Sequence, residues 1–348
     1  MIEDRKTSHI DICLKEDVNA HHNYWDDVHL IHNALPEIDK DEIDLSVKLF
    51  GKKLKLPLII SAMTGGCEIG EKINRNLAEA AAEVGVGFGL GSQRPALENK
   101  SLIPTYSIVT EYDIPLVIAN IGAPQLITQG KKTPIALEDA KEVMEMVDGD
   151  ILAVHMNYLQ EIVQPEGDHK SRGCTDAIEA LAKKLPILAK ETGAGISRDV
   201  ALRLKRTKIK GIDVGGLGGT SFAAVEFYRA KGINNKLRET LGKSFWNWGI
   251  PTPASIVYAN VGLPLVATGG VRNGLDAAKA FVVGANAAGI AKPLLKPAME
   301  SSEKVVDTLK IIAEELRCSM FLLGCKNIAE VRKRRYMAEG RLACWLNK

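Results

Sequence analysis

A chain of 348 residues that is 46% hydrophobic and 25% charged has the composition of an ordinary globular protein and not of a disordered one. Its formal charge of +2 is too small for a nucleic-acid footprint. No run approaches the ~18 apolar residues of a membrane span, and the opening MIEDRKTSHIDICLKED is charged from its third residue, unlike a secretory signal.

From residue 56 a short apolar run, a polar or glycine-rich turn and a helical segment recur. The runs are LPLIISAM (56–63), VGFGLGS (86–92), PLVIANIG (115–122), DILAVHMN (150–157), LPILAKETG (185–193), GIDVGG (211–216), LPLVATGG (263–270) and ANAAGIA (285–291). Near-continuous apolar runs suit strands buried on both faces, as parallel sheets require. Between them, segments such as EKINRNLAEAAAEVG, TPIALEDAKEVMEMV, TDAIEALAKKL, SRDVALRLKRTK and NGLDAAKAFVVG show three- and four-residue apolar spacing, with Thr175 and Asn273 as expected caps.

Eight βα units over roughly 240 residues predict an α/β protein of the (β/α)8, or TIM-barrel, class. A doubly wound sheet usually has fewer strands and opens on G-x-G-x-x-G, whereas the first turn here is TGG. The chain reads as a single domain, 1–348, with an N-terminal extension (1–55) over the barrel mouth, the barrel (56–325) and a C-terminal helical tail (326–348). Long βα loops, above all the one after GIDVGG, are expected to cover the active-site end. The RKRR run of the tail reads as a solvated face. Six scattered cysteines without a C-x-x-C pair read as free thiols of a reducing cytoplasm.

Reactive groups of such barrels sit where strands end, and here those ends are polar. Thr64, then Ser92 and Arg94, then Asn120, then His155 and Asn157, then Lys190 close the first five runs. Glycine turns GGLGGTS (215–221), GGVRNG (269–274) and GIAKP (289–293) follow the last three, and read as a phosphate cradle. Lys190 suits the electron-rich edge of a flavin, or a Schiff base. His155 and Asn157 share one strand face. Gln160 and Glu161 follow, and a lone carboxylate beside an amide suits Mg²⁺. Glu166 and Asp168 are expected further out, in solvent. Arg5, Lys6 and His9 form an RKxxH pattern that would clamp a diphosphate if the arm folds over the mouth, or else a solvated tail. His21, His22, His29 and His32 lack the spacing of a zinc site.

Taken together, RKxxH (5–9), DDVHLIHNALPEID (26–39), SAMTGG (61–66), GSQR (91–94), HMNYLQEIVQPEGD (155–168), KETGAGIS (190–197), GGTSF (218–222), WNWGIPT (246–252) and ATGGVRNG (267–274) give the chain a resemblance, over nearly its whole length, to the FMN-dependent type 2 isopentenyl-diphosphate isomerases. The resemblance implies a barrel that interconverts isopentenyl and dimethylallyl diphosphate in isoprenoid biosynthesis, with reduced FMN, Mg²⁺ and NAD(P)H as reductant. It implies a cytoplasmic homo-oligomer, tetramer or octamer, whose partner is a small prenyl diphosphate. By the same resemblance, Ala62, Met63, Thr64, Ser92, Asn120, Lys190, Thr220, Gly269, Gly270, Arg272, Ala291 and Lys292 hold the flavin. Arg5, Lys6, Arg94, His155, Asn157 and Gln160 face the substrate, Glu161 holds the metal, and Gln160, His155 and Lys190 serve the chemistry.

Two other readings remain at this stage. An FMN-dependent 2-hydroxy-acid oxidase or dehydrogenase would need a His near the end of a late strand, yet all seven histidines precede residue 170. A non-catalytic barrel that binds a phosphorylated ligand would turn over no prenyl diphosphate.

Overall fold

The structure, a computed structural model, describes residues 2–346. Before the barrel come a helix, Ile2–Lys15, a short strand β1 (Val28–Leu30) and a hairpin of β2 (Val47–Leu49) and β3 (Lys52–Leu54). Eight strands follow: β4 (Leu58–Ile60), β5 (Gly87–Gly89), β6 (Val117–Gly122), β7 (Ile151–Met156), β8 (Ile187–Glu191), β9 (Gly211–Asp213), β10 (Leu265–Ala267) and β11 (Ala287–Ile290). They pair in parallel, in chain order, and β11 returns to β4 to close the barrel. Each lies within one of the eight apolar runs. The (β/α)8 class read from the sequence is the observed one.

Helices cover the outside because their apolar stripes need a partner. In Glu68–Val84, Ile73, Leu77, Ala80 and Ala81 fall on one face and are buried. That helix stops at Gly85, whose left-handed φ of 77° lets its N–H turn back to the Ala81 carbonyl. Asn273 caps its helix as expected, accepting the Asp276 N–H at 2.8 Å. Thr175 does not cap. The left-handed Gly173 (φ 95°) leads into that helix, which begins at Cys174 and so contains Thr175.

The hairpin closes the barrel's N-terminal end. Its two-residue turn, Phe50 (φ 49°) and Gly51 (φ 86°), has the positive angles that a tight hairpin needs. Leu49 and Leu54 are buried in a cluster with Ile59, Ile118, Leu188 and Val266 from the barrel interior. At the opposite end, residues 18–25 lie along the glycine turns. Ser221 donates to Val18 O (2.8 Å), Ala20 to Gly219 O (2.7 Å), and the Trp25 indole to Gly269 O (3.0 Å).

The expected helical tail needs correction. Within the described residues it holds two short helices, Ile328–Val331 and Gly340–Leu346, around a strand β12 (Tyr336–Ala338) that pairs antiparallel with β1. Tertiary pairing overrides the amphipathic pattern there. Among the described residues no helix is long and apolar enough to cross a membrane.

The hairpin plug gives a direct test of stability. Leu54→Ala, at a fully buried site, is expected to lower the unfolding free energy by about 2–5 kcal/mol in urea titration.

Candidate functional site

A cavity of about 630 Å³ opens at the C-terminal ends of the strands, within the size range of small-molecule sites. The helix Ile2–Lys15 packs against the helix Phe222–Gly232, and Arg5, Lys6 and His9 line the cavity. Of the residues singled out from the sequence, Ala62, Met63, Thr64, Ser92, Asn120, Lys190, Thr220, Ala291 and Lys292 line it, as do Arg94, His155, Asn157, Gln160 and Glu161.

Gly269, Gly270 and Arg272 are not among its lining residues. Gly269 O accepts from Trp25 and from Thr252 Oγ1 (2.8 Å), and Gly270 O accepts from Asn23 Nδ2 (2.8 Å). The Arg272 guanidinium is taken by Asp276 (2.8 Å) and Asp26 (2.6 Å). This turn therefore packs against Thr252 and the 18–25 segment instead of lining the cavity. A Cβ on Gly219 would lie 2.5 Å from Gly270 N, so the two turns meet backbone to backbone.

The inner wall carries the charges that a flavin would feel. Lys190 Nζ lies 3.5 Å from Asp213 Oδ2 and donates to Glu191 O at 3.1 Å. Asp213 is buried and also accepts from Thr268 Oγ1. Thr64 Oγ1 is buried without a hydrogen-bond partner. A buried orphan hydroxyl is costly, and this one belongs to a residue of the cavity wall.

Near the N-terminal helix the cavity wall carries Arg5, Lys6 and Arg94. Burial, and then Arg5, lowers the Lys6 pKa to about 8. Its Nζ donates to Ser92 O at 3.4 Å, a carbonyl that also accepts from Tyr106 Oη at 2.6 Å. Burial, with Lys190 and Lys6 next in effect, lowers the His155 pKa to about 3. Its tautomer follows from its neighbour. Asn120 Nδ2 donates to Leu90 O, so Asn120 Oδ1 must accept, and His155 Nδ1, at 2.8 Å, carries the proton. Nε2 is left as an acceptor.

Glu161 is buried, and burial raises its pKa. It accepts from Asn157 Nδ2 (3.0 Å), Gln164 Nε2 (2.6 Å) and the Asp168 N–H (2.7 Å), while Asn157 Oδ1 is buried and unpartnered. Among the described residues no group of three or more His, Cys, Asp or Glu side chains could hold a metal. Glu161, with the amide oxygens of Asn157 and Gln160, supplies the oxygen donors on this part of the wall, a set that would suit a hard cation only with further ligands.

Asp168 is a correction. It is buried, where solvent was expected, because it accepts from both Arg94 (3.2 Å) and Lys132 (2.6 Å). Glu166 is exposed but pairs with Arg229 at 2.7 Å. Glu226 went unnoticed in the sequence. Fully buried, it accepts from His9 (2.9 Å), Gln160 Nε2 (3.0 Å) and Arg229 (2.6 Å). Burial pushes its pKa up, but the His9 and Arg229 interactions outweigh this and hold it below the ordinary value. Its one sequence signal is an acid inside the apolar helix FAAVEFYR, three residues before an arginine.

Fold and cavity together define a (β/α)8 barrel with one cavity at the strand ends, lined by glycine-turn residues and by Arg5, Lys6 and Arg94. Comparison with known proteins agrees. The profile of the FMN-dependent dehydrogenases matches residues 5–99 and 253–338. An isopentenyl-diphosphate delta-isomerase of Thermoplasma acidophilum is 49% identical over 99% of both chains. One of Archaeoglobus fulgidus is 45% identical over 99% of this chain and 98% of its own. A mandelate oxidase with an FMN adduct shares the fold at 16% identity, with a TM-score of 0.62 over 96% of this chain and 92% of its own. The chain belongs to the FMN-dependent, type 2 isopentenyl-diphosphate delta-isomerase family.

The His155 shift sets a stability window. The unfolded imidazole takes a proton near pH ~6.5, the folded one at about 3. Between these values the unfolded chain binds more protons, so this contribution is complete above the upper limit and is lost as pH falls toward the lower one. The unfolding free energy of His155→Gln is expected to vary less steeply with pH across that window than that of the native protein. In the native protein, nitrogen NMR is expected to find His155 neutral and protonated on Nδ1 at pH ~5.

Proposed function

We propose that the chain interconverts isopentenyl diphosphate and dimethylallyl diphosphate, with Mg²⁺ and with FMN reduced by NAD(P)H. What supports this reading is that two groups of residues suited to anions line one cavity. Thr220, Ala291 and Lys292 suit the cofactor's monophosphate, and Arg5, Lys6 and Arg94 suit a substrate diphosphate. A five-carbon alkene has no polar handle, so its binding energy must come from the diphosphate.

The reaction adds one proton to the alkene and removes another through a tertiary, cation-like state. Reduced FMN, when bound, supplies an electron-rich face for that state and a nitrogen able to carry the proton. The chain's own residues set the geometry. Glu161 would hold Mg²⁺, which would supply positive charge to the diphosphate. The negative charge of a bound diphosphate would oppose the burial that keeps His155 neutral, while its Nδ1–H stays on Asn120. Gln160 is fixed from two sides, by Glu226 and by Asn157 Nδ2 (3.3 Å to its Oε1), and as a neutral amide it positions rather than titrates. Lys190, with Asp213 as its counter-charge at 3.5 Å, would stabilise an anionic reduced flavin. The cavity's histidines, His9 and His155, lie on the N-terminal helix and the fourth barrel strand, so a hydroxy-acid oxidase lacks its late-strand base.

The decisive measurement is anaerobic, in D₂O with FMN, Mg²⁺, dithionite and isopentenyl diphosphate, followed by proton NMR. Deuterated dimethylallyl diphosphate is expected, and none while the flavin stays oxidised. No isomerisation by protein that holds reduced FMN would falsify the reading. Glu161→Gln is expected to raise the Mg²⁺ concentration for half-activation at least about tenfold. Asp213→Asn, which leaves Lys190 less compensated, is expected to raise the flavin midpoint potential by about 30 mV, a tenfold change in a two-electron equilibrium. Spectroelectrochemistry reads this independently of turnover.

A further inference from the structure

A second cavity, of about 410 Å³, adjoins the first. The two share Arg94, Glu98, Gln125, Lys132 and Asp168. The partition is therefore made of side chains held by ion pairs, with Asp168 between Arg94 (3.2 Å) and Lys132 (2.6 Å). Beyond it the walls are apolar, from Leu97, Ile127, Pro134 and Ile135. On the reading above, a five-carbon diphosphate held at the cations of the first cavity would leave this space unused.

We propose that the second cavity receives the adenosine half of a reduced pyridine dinucleotide. The dinucleotide's diphosphate lies on Arg5, Lys6 and Arg94, and its dihydronicotinamide takes the place of the prenyl group. This rests on the reading that a pyridine nucleotide reduces the flavin. The geometry follows from what the two ligands share. A hydride donor and a prenyl chain must both reach the flavin, so they use the same volume in turn. Each carries a diphosphate, which one set of cations can hold. The dinucleotide alone continues past its diphosphate, and Arg94, which lines both cavities, marks where that continuation begins. The aliphatic walls suit a flat base. Asp139 lies at the same cavity. One of its oxygens caps the Ala136 N–H at 2.7 Å. In the reduction, the C4–H bond of the dihydronicotinamide breaks and its hydride, two electrons with one proton, passes to oxidised FMN. The products are the nicotinamide cation and the anionic reduced flavin. Reductant and prenyl diphosphate then exclude one another.

The test uses the FMN-loaded enzyme without oxygen and follows flavin bleaching by NADH, NADPH and reduced nicotinamide mononucleotide, which lacks the adenosine half. Ile135→Trp fills the second cavity, and Leu97→Trp, read in the same way, covers a failure of the first variant to fold. The expected result is a rise of about tenfold in the half-saturating NADH or NADPH concentration. The mononucleotide reaction, and isomerisation after dithionite reduction, are expected to stay unchanged. ADP-ribose is expected to slow bleaching of the native enzyme by NADH and to do so more weakly in the variant. The proposal is overturned if the variants leave dinucleotide saturation unchanged, if they weaken the mononucleotide equally, or if neither dinucleotide bleaches the native flavin. Isomerisation by dithionite-reduced enzyme in any of those cases leaves the isomerase reading standing. Its absence counts against that reading instead.

Discussion

Eight parallel strands that close on themselves must all end at one rim. Chain segments far apart in sequence therefore deliver their last side chains to one place. Thr64, Asn120, His155, Lys190 and Thr220 meet because the strands that carry them, or lead to them, share a direction. The other rim needs only to be shut, and the hairpin with Leu49 and Leu54 does that. Stability is concentrated at one end and chemistry at the other.

At the reactive rim the difficulty is electrostatic. A diphosphate site needs several cations, and cations crowded out of water repel one another. The structure answers with buried acids. Asp213 lies by Lys190, Asp168 lies between Arg94 and Lys132, and Glu226 holds Arg229 and His9. Each pair keeps its neighbourhood near neutrality before any ligand arrives, and each fixes a long side chain that would otherwise sample many rotamers. His155 follows the other course and stays uncharged.

How much of this could be read beforehand depends on range. The strands were legible because burial on both faces leaves eight apolar runs, and the polar residues at their ends were legible because alternation places them. His155 and Asn157 are of that kind. Glu226 was not, since its importance comes from His9 and Gln160, which no local pattern links to it. Asp168 looked like a loop acid because its partners Arg94 and Lys132 are distant in sequence. The strand β12 read as helix because its pairing with β1 joins opposite ends of the chain. Arg272 sits in a motif that suits a phosphate, yet Asp26 and Asp276 take its guanidinium.

The pairing of β1 with β12 also orders events during synthesis. Val28 bonds into a ladder with Ala338, and Asp27 receives the Leu342 N–H. The segment that lies along the glycine turns is thus fastened by residues translated after every barrel strand. A nascent chain can close its barrel, but the cover over its mouth stays without this anchor until β12 has left the ribosome. The last barrel strand, β11, is itself made late, so the anchored cover is the final element to form, after the barrel is complete.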